Sequence, residues 1–292
     1  MKYKMVVADF DGTLGTAPDH IEESTVAAIR EYQRKGGRFV VCTGRMLSSI
    51  RPICLKYGLT GDVIAAQGAI AADILTGDIF YSSGIPPALA LEVVTDLEKD
   101  GEPVLVNVGD VLYYAAGNAL TETYEKNSGV SGVAVGKLSD FLAKNQAPVQ
   151  KVMAIVGAGR VEDKMEQYAE KYGGKCVVNT GFDPDRLPAQ IAAYAERYQG
   201  RLVINSGFQF LMEIISPACT KGDTVRAVAK RCGVEESEIL TVGDSTNDLS
   251  LIAVGHGVAV GDGSAALKAV AKEIAPPYAE KPVEYLLKKY CL

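Results

Sequence analysis

Residues 6–14 read VVADFDGTL, an apolar run that ends in two aspartates one residue apart and continues into glycine and threonine. In a β-strand alternate side chains share a face, so Asp9 and Asp11 can both project toward one ligand while Phe10 points the other way. Gly12 lets the chain turn immediately afterwards at no steric cost. An isolated pair of this kind is more often an ordinary aspartate-rich turn, so its meaning depends on the rest of the chain.

Three further segments place polar residues beside a strand end or a helix start. Residues 39–42 run into Thr43-Gly44-Arg45, residues 239–242 run into GDSTND, and Thr220-Lys221-Gly222 opens a helix-like stretch. Together they supply two acidic clusters, a hydroxyl beside glycine backbone, and a lysine. Phosphoryl transfer needs such a set: anionic ligands for a divalent cation, donors for phosphoryl oxygens, and a carboxylate able to attack phosphorus.

In their order along the chain, DFDGTL, TGR, TKG and GDSTND resemble the motifs of the haloacid dehalogenase-like phosphatase superfamily, specifically its Cof-type branch of sugar-phosphate phosphatases. The resemblance spans nearly the whole chain, and DFDGTL followed by GDSTND is its most specific part. Two positions depart from the family pattern. Gln67 stands where the family often has asparagine before Gly-Ala, and Gly15 replaces a frequent apolar residue after Leu14. Both departures concern substrate preference rather than the chemistry.

The alternation of apolar patterns predicts an α/β fold, a doubly wound, Rossmann-like parallel-sheet core with an inserted α/β cap domain. Ligands of such sheets bind outside the carboxyl ends of the strands, where Asp9, Asp11, Thr43 and Asp244 all fall. The predicted core elements are strands over 5–8, 39–42, 63–66, 239–242, 258–260 and 273–275, and helices over 22–35, 46–56, 221–232 and 247–254.

Residues 83–215 have a different pattern of predicted strands and helices and interrupt the core. The core then comprises residues 1–82 and 216–292. This segment resembles the large cap of Cof-type enzymes, to which substrate specificity is assigned. Two connections tether an inserted domain, so a hinged lid is expected. The predicted cap elements are a helix to about residue 99, a hairpin over 104–107 and 111–115, strands over 152–156, 176–179, 202–205 and 210–215, and helices over 161–172 and 188–198.

The resemblance implies a role for each motif residue. Asp9 would be the nucleophile that forms an aspartyl-phosphate, and Asp11 the general acid and then base, with its backbone carbonyl as a metal ligand. Asp244 would complete a Mg²⁺ site with Asp9 and Asp11, whereas Asp248 either ligates the metal or orients Lys221 or a metal-bound water. Thr43 and Lys221 join Asp9 and Asp11 as catalytic residues. The residues implied to bind substrate or phosphate are Phe10, Thr43, Gly44, Lys221 and Asn247.

Several polar residues keep two interpretations. Thr43 and the Gly44 amide are expected at the start of a helix, where backbone N–H groups favour anions. Asn247 either donates to phosphate or caps the next helix. Arg45 either contacts substrate or forms a structural ion pair. His20 and His256 are expected to be structural or surface residues, because no acidic motif surrounds them.

Composition favours a cytoplasmic enzyme of two domains. The 292 residues are 48% hydrophobic, which provides material for two cores. No apolar stretch reaches the roughly 18 to 20 residues that span a bilayer, and the first residues lack a signal-peptide pattern. Six cysteines without CxxC spacing argue against a zinc site or a disulfide framework. With a net charge of −6 and no long basic run, nucleic acid is not an expected partner.

The predicted function is Mg²⁺-dependent hydrolysis of a small phosphorylated metabolite, in particular a sugar phosphate, through an aspartyl-phosphate intermediate. Two alternatives stay open at this point, a phosphomutase of the same superfamily and a non-catalytic phosphometabolite-binding protein. Release of inorganic phosphate without a bisphosphate activator would exclude the mutase. Hydrolysis within a broad phosphoester panel would exclude the binding protein.

Overall fold

The computed structural model describes residues 2–16, 19–155, 161–172, 177–180 and 211–292. The chain divides into two compact units, a first unit of Met1–Ser82 with Ala218–Leu292 and a second unit of Ser83–Pro217. The second unit therefore interrupts the first along the sequence. The predicted helix over 188–198 and strand over 202–205 lie outside the described residues.

Strands and helices alternate along much of the described chain, as α/β proteins require. The strands are β1 (Met5–Asp9), β2 (Arg38–Cys42), β3 (Asp62–Ala65), β4 (Ile70–Asp73), β5 (Ile79–Ser82), β6 (Val104–Val108), β7 (Val111–Tyr114), β8 (Gly132–Ala134), β9 (Val149–Ile155), β10 (Val177–Thr180), β11 (Leu211–Ile215), β12 (Ile239–Gly243), β13 (His256–Ala259) and β14 (Glu273–Ile274). The α-helices are α1 (Glu23–Arg34), α2 (Leu47–Lys56), α3 (Pro87–Lys99), α4 (Ala119–Ser128), α5 (Leu138–Leu142), α6 (Val161–Tyr172), α7 (Lys221–Cys232), α8 (Leu249–Ile252), α9 (Ala265–Val270) and α10 (Pro282–Tyr290).

The first unit is built on a sheet with the strand order β14-β13-β12-β1-β2-β3-β4-β5. Strand β1 pairs in parallel with β2 on one side and with β12 on the other. Strands β4 and β5 add an antiparallel edge. The predicted α/β fold with a parallel-sheet core is confirmed. The sequence did not predict β4 or β5, and for β4 the reason is its alanine-rich sequence, which has low strand propensity.

Strand β1 is buried along its whole length, which explains its unbroken apolar sequence. Val6 and Ala8 pack into a hydrophobic cluster with α1, α2 and α10, whereas Met5 and Val7 pack into another cluster with α7 and α8. Alternate residues of a strand point to opposite faces, so helices cover both faces of this sheet. The first unit is therefore doubly wound.

The order of the strands reverses at β1. The chain proceeds from β1 to β2 and β3 on one side, and β12, β13 and β14 extend the sheet on the other. A crevice forms outside the carboxyl ends of the strands at such a reversal. Asp9 is the last residue of β1, and Asp244 directly follows β12, so the fold brings both aspartates to this crevice.

The second unit has its own sheet, with the strand order β10-β11-β9-β6-β7-β8. Strands β6 and β7 form the predicted hairpin, and Gly109 and Asp110 both take positive φ at its turn. Helices α3, α5 and α6 contribute to a hydrophobic cluster with one face of this sheet. Each unit thus has its own buried core.

Two further expectations concern the whole chain. Among the helices of the described residues, none combines the length and apolar character that crossing a membrane requires. The five cysteines within the described residues are free thiols, and Cys176 lies outside those residues.

Candidate active site

A buried lysine joins two aspartates at the crevice beside β1. The Lys221 Nζ atom lies 2.6 Å from Asp9 Oδ1 and 2.6 Å from Asp248 Oδ1. The Lys221 residue is 2% exposed, Asp9 is 5% exposed, and Asp248 is fully buried. Buried charges are costly unless they are paired and hydrogen-bonded, and this arrangement satisfies both conditions.

The start of α7 positions Lys221. Thr220 caps this helix, because its Oγ1 accepts a hydrogen bond of 3.1 Å from the Asp223 amide. Gly68 lies against the same helix start, where an added Cβ would come within 2.5 Å of the Thr220 carbonyl oxygen and 2.8 Å of the Lys221 nitrogen. Thr224 in the first turn donates a 2.6 Å hydrogen bond to the Gly68 carbonyl. Position 68, beside the start of α7, therefore requires glycine.

Asp248 organises the loop after β12. Its Oδ2 accepts hydrogen bonds from the amides of Asp244, at 3.1 Å, and Ser245, at 3.2 Å. A Cβ at Gly243 would lie 2.6 Å from the Asp248 Cβ, so glycine permits this close approach. Because Lys221 contacts the other oxygen, both Asp248 oxygens already accept hydrogen bonds. Asp248 thus orients Lys221 and the loop amides, and its carboxylate also belongs to the acidic cluster that could hold a metal ion.

The site has the donor set that a hard divalent cation prefers. Carboxylate oxygens of Asp9, Asp244 and Asp248 lie within 4.8 Å of one another. Asp244 is oriented by Thr13, whose hydroxyl donates a 2.9 Å hydrogen bond to Asp244 Oδ1. Three carboxylates against the one ammonium of Lys221 leave an excess of negative charge. Oxygen ligands of this kind suit Mg²⁺, so the residues present fit the expected metal.

Burial and the neighbouring charges shift the ionisation of this cluster. Burial and the facing Asp248 carboxylate raise the pKa of Asp9 to about 7, although Lys221 acts in the opposite direction. Burial alone would lower the pKa of Lys221, but the Asp248 and Asp9 carboxylates outweigh it and hold that pKa above its ordinary value. The lysine is therefore charged at neutral pH, whereas the ionised form of Asp9 is disfavoured relative to an exposed aspartate.

Asp11 forms an ion pair that the sequence left undecided. The Arg45 guanidinium donates from Nε to Asp11 Oδ2 at 2.9 Å and from Nη2 to Asp11 Oδ1 at 2.7 Å. Its Nη1 also lies 3.3 Å from Asp19 Oδ1, and the guanidinium stacks 4.9 Å from the Phe10 ring centroid. Of the two interpretations of Arg45, the structure shows the ion pair. The Phe10 side chain is fully buried, so a phosphate contact at this position would have to use its backbone.

Thr43 and Gly44 lie in a turn between β2 and α2. Helix α2 begins only at Leu47, so the expectation that these two residues start a helix is wrong. The Thr43 hydroxyl accepts a 3.1 Å hydrogen bond from the Arg45 amide. Gly44 packs against Gln67, whose Nε2 would lie 2.5 Å from an added Cβ. A larger residue at position 44 would displace the end of the Gln67 side chain.

Residues 66–68 take a strained turn that the sequence did not reveal. Ala66 and Gln67 both have positive φ, at 51° and 58°, and Gly68 follows at 101°. Residues other than glycine and asparagine rarely adopt this backbone conformation. The one sequence signal at this turn is Gln67, which stands where the family often has asparagine.

Asn247 lies in a short 3₁₀ turn, Thr246–Asp248, that precedes α8. Ser245 and Asp248 form the capping box of this turn, so Asn247 is not the capping residue. Its exposed amide oxygen accepts a hydrogen bond from the Ser245 hydroxyl. The helix predicted over 247–254 is shorter, because Asp248 turns its side chain back to the preceding amides.

The two histidines pair with glutamates. His20 Nε2 lies 3.0 Å from Glu22 Oε1 on the surface, and His256 Nε2 lies 2.9 Å from Glu273 Oε2. These local contacts agree with the structural role expected for both residues.

A sequence model of the haloacid dehalogenase-like hydrolase family matches residues 6–287 of this chain. The phosphatase YwpJ of Bacillus subtilis is 26% identical over 286 residues, covering 98% of this chain and 99% of that protein. A putative phosphatase of Streptococcus pyogenes is 24% identical over 298 residues, covering 100% of both chains.

Solved structures show the same fold. A protein from Thermotoga maritima matches with a TM-score of 0.79 at 24% identity, covering 98% of this chain and 97% of that one. A haloacid dehalogenase subclass IIB sugar phosphatase matches with a TM-score of 0.75 at 18% identity, covering 98% of both chains. At these identities the likeness concerns the fold alone.

Proposed function

This chain belongs to the haloacid dehalogenase-like hydrolase family, and we propose that it is a Mg²⁺-dependent phosphatase of a small phosphorylated metabolite, in particular a sugar phosphate. The main support is the bridge that Lys221 makes between Asp9 and Asp248, at 2.6 Å on each side. Full-length relatives that bear the name phosphatase support the reaction class. The sugar-phosphate part of the proposal rests on the motifs DFDGTL, TGR, TKG and GDSTND, which resemble those of the Cof-type branch.

In the proposed reaction Asp9 is the nucleophile. One carboxylate oxygen forms a bond to phosphorus while the phosphorus–oxygen bond to the alcohol breaks, which gives an aspartyl-phosphate. Asp11 gives a proton to the departing alkoxide and then accepts one from the water that hydrolyses the intermediate. The Arg45 guanidinium donates one hydrogen bond to each oxygen of Asp11, and each oxygen keeps a second lone pair that can hold the transferred proton.

The remaining polar groups hold the phosphoryl group. The Lys221 ammonium offsets the charge of Asp9 and so lets an anionic phosphate approach. Thr43, Gly44 and Asn247 supply donors, and Asp248 keeps Lys221 and the Asp244 loop in place. Mg²⁺ held by Asp9, Asp244 and the Asp11 carbonyl would stabilise negative charge on the phosphoryl oxygens.

The second unit is proposed to select among substrates. The residues placed in the chemistry all lie in the first unit, whereas the second unit has a separate sheet and core. Because the second unit is inserted after β5, its sequence can vary without altering the proposed catalytic residues.

A panel of phosphomonoesters tests this function. Inorganic phosphate is measured for the whole protein with Mg²⁺ and without any bisphosphate, together with Asp9→Asn and the control Asp78→Asn, an exposed aspartate between β4 and β5. We expect the wild type and the control to release phosphate, and Asp9→Asn to release none.

Two results would contradict the proposal. Phosphate release that needs a bisphosphate activator would indicate a mutase. No release from any phosphoester would indicate a binding protein.

A further inference from the structure

The turn of residues 66–68 joins two segments that are proposed to hold the phosphoryl group. On one side, the backbone N–H of Gln67 donates a 3.1 Å hydrogen bond to the Thr43 carbonyl. On the other side, the Gly68 carbonyl accepts a 2.6 Å hydrogen bond from the Thr224 hydroxyl in the first turn of α7. Gln67 is therefore held between the turn after β2 and the start of α7.

The side chain of Gln67 is buried, yet its amide is unpaired. Only 6% of the residue is exposed. The amide end lies against Gly44, where an added Cβ would come within 2.5 Å of Gln67 Nε2 and 2.9 Å of its Cδ. Among the residues that the structure describes, none forms a hydrogen bond with this amide. Buried polar groups are nearly always paired, and an unpaired one destabilises the folded state. This amide is therefore available to a ligand.

The backbone that carries this amide is also unfavourable. Ala66 and Gln67 both have left-handed φ values, 51° and 58°, which cost free energy in residues that bear a Cβ. Glycine would adopt the same conformation without this cost. Strain of this kind is concentrated at binding and catalytic sites, where the surrounding structure holds a side chain in place for its function. Stability of the fold accounts neither for the conformation of Gln67 nor for its unpaired amide.

The neighbours of the amide define the ligand. Gln67 Nε2 lies beside Gly44, to which a phosphoryl contact is already assigned, and the start of α7 brings the cationic Lys221 to the same crevice. An amide nitrogen only donates hydrogen bonds, whereas the oxygens of a phosphate dianion only accept them. We propose that Gln67 is a further phosphate-binding residue, whose Nε2 donates a hydrogen bond to an oxygen of the phosphoryl group. This inference rests on the proposed function in one respect, the assignment of Thr43 and Gly44 to that group.

A contact with the phosphoryl group has a different consequence from a contact with the rest of the substrate. Every phosphomonoester carries the same phosphoryl group, so loss of the Gln67 amide should weaken all substrates by one factor. A residue that contacts the leaving group would instead change the ranking of substrates. The two roles of Gln67 can therefore be separated by measurement.

Binding of inorganic phosphate tests the proposal without reference to hydrolysis. A ³¹P NMR titration with Mg²⁺ compares the whole wild-type protein with Gln67→Met, which keeps the length of the side chain but removes the amide. We expect Gln67→Met to bind phosphate about ten- to hundredfold more weakly, since a hydrogen bond to a charged group is lost. Gln67→Glu provides a second variant without the donor if methionine does not fit.

Two controls accompany this titration. Gln167→Met makes the same substitution at an exposed position of α6, and Ala66→Gly changes the backbone of the turn while keeping the amide. Both should bind phosphate as the wild type does, and thermal unfolding checks that every variant is folded. An equal loss of affinity in Ala66→Gly would show that the conformation of the turn, and not the amide, is responsible, and would overturn the proposal.

The kinetic readout uses p-nitrophenyl phosphate and a sugar phosphate that the wild type hydrolyses. In Gln67→Met, kcat/KM should fall by the same factor for both. A fall for the sugar phosphate alone would place Gln67 at the leaving group and contradict the proposal, as would phosphate affinity equal to that of the wild type in Gln67→Met and Gln67→Glu, or no phosphate binding by the wild type. Phosphate binding that depends on Gln67, in a protein that hydrolyses no phosphoester, would contradict the proposed function alone.

Discussion

Lys221 fixes the arrangement of the acidic cluster. Its ammonium lies 2.6 Å from Asp9 and from Asp248, and both contacts are buried. Without this cation, two carboxylates would face each other away from water, where their repulsion is strong. The same contact leaves Asp9 both close to a positive charge and part of a cluster that carries excess negative charge. This position is consistent with the two roles proposed for Asp9, holding a cation and accepting a phosphoryl group.

Substitution of Asp11 by asparagine should affect the rate differently from substitution of Asp9. Asp11→Asn keeps the proposed nucleophile but removes the proton donor, so its penalty should depend on the leaving group. We expect a loss of about 10²–10⁴-fold for an alkyl phosphate, and a smaller effect on the first step for an aryl phosphate, whose leaving group departs unprotonated. Single-turnover kinetics with both substrates measure the difference. Equal slowing of the two would make Asp11 a structural residue.

The raised pKa of Asp9 predicts that metal affinity depends on pH. Mg²⁺ needs the ionised carboxylate, and the pKa of Asp9 is raised to about 7 by burial and Asp248. Protons should therefore compete below pH 7, and the affinity should fall by up to about tenfold for each unit of pH and level off above it. Calorimetry at pH 5.5, 6.5 and 8 measures this affinity. Affinity that does not change with pH in the wild type would contradict the assignment, and Asp9→Asn should show weak binding at every pH.

At the scale of elements, the contact between residues 66–68 and α7 sets the position of Lys221. Gly68→Ala should displace the start of the helix, because the new Cβ would meet the Thr220 and Lys221 backbone within 2.8 Å. We expect both a loss of stability of about 1–2 kcal/mol from the positive φ and a loss of phosphatase activity. Urea unfolding and steady-state kinetics measure the two effects.

Gly36→Ala is the matched control for this contact. Gly36 also has a positive φ, at 87°, but an added Cβ would meet nothing within 4 Å. The control should lose similar stability and keep its activity. Full activity in Gly68→Ala, or an equal loss of activity in Gly68→Ala and Gly36→Ala, would show that this contact does not position the lysine.

For the molecule as a whole, the sequence predicted the parts that depend on local pattern. The alternation of strand and helix patterns predicted the parallel core, and the four motifs predicted the family; both predictions are confirmed. The Arg45–Asp11 ion pair joins residues 34 apart, so no periodicity reports it. The positive φ of Ala66 and Gln67 and the short strand β4 likewise depend on tertiary contacts.

The division into two units predicts that the first unit alone can hydrolyse a phosphoester and that the second unit determines substrate preference. Replacing residues 83–217 with a flexible linker of about 15 residues should leave some hydrolysis of p-nitrophenyl phosphate, because the proposed catalytic residues lie in the first unit. The shortened protein should lose the preference of the whole protein among phosphoesters. Circular dichroism checks that it folds, and an unchanged ranking of substrates would contradict the proposed role of the second unit.

Identification of the covalent intermediate tests the central claim most directly. The whole protein is mixed with a ³²P-labelled phosphoester and Mg²⁺, quenched in acid within milliseconds, and digested for peptide mapping. The proposed mechanism predicts an acid-stable, alkali-labile label on Asp9, as expected of an acyl phosphate, and no label in Asp9→Asn. A label on another residue, or turnover by Asp9→Asn at the wild-type rate, would contradict it.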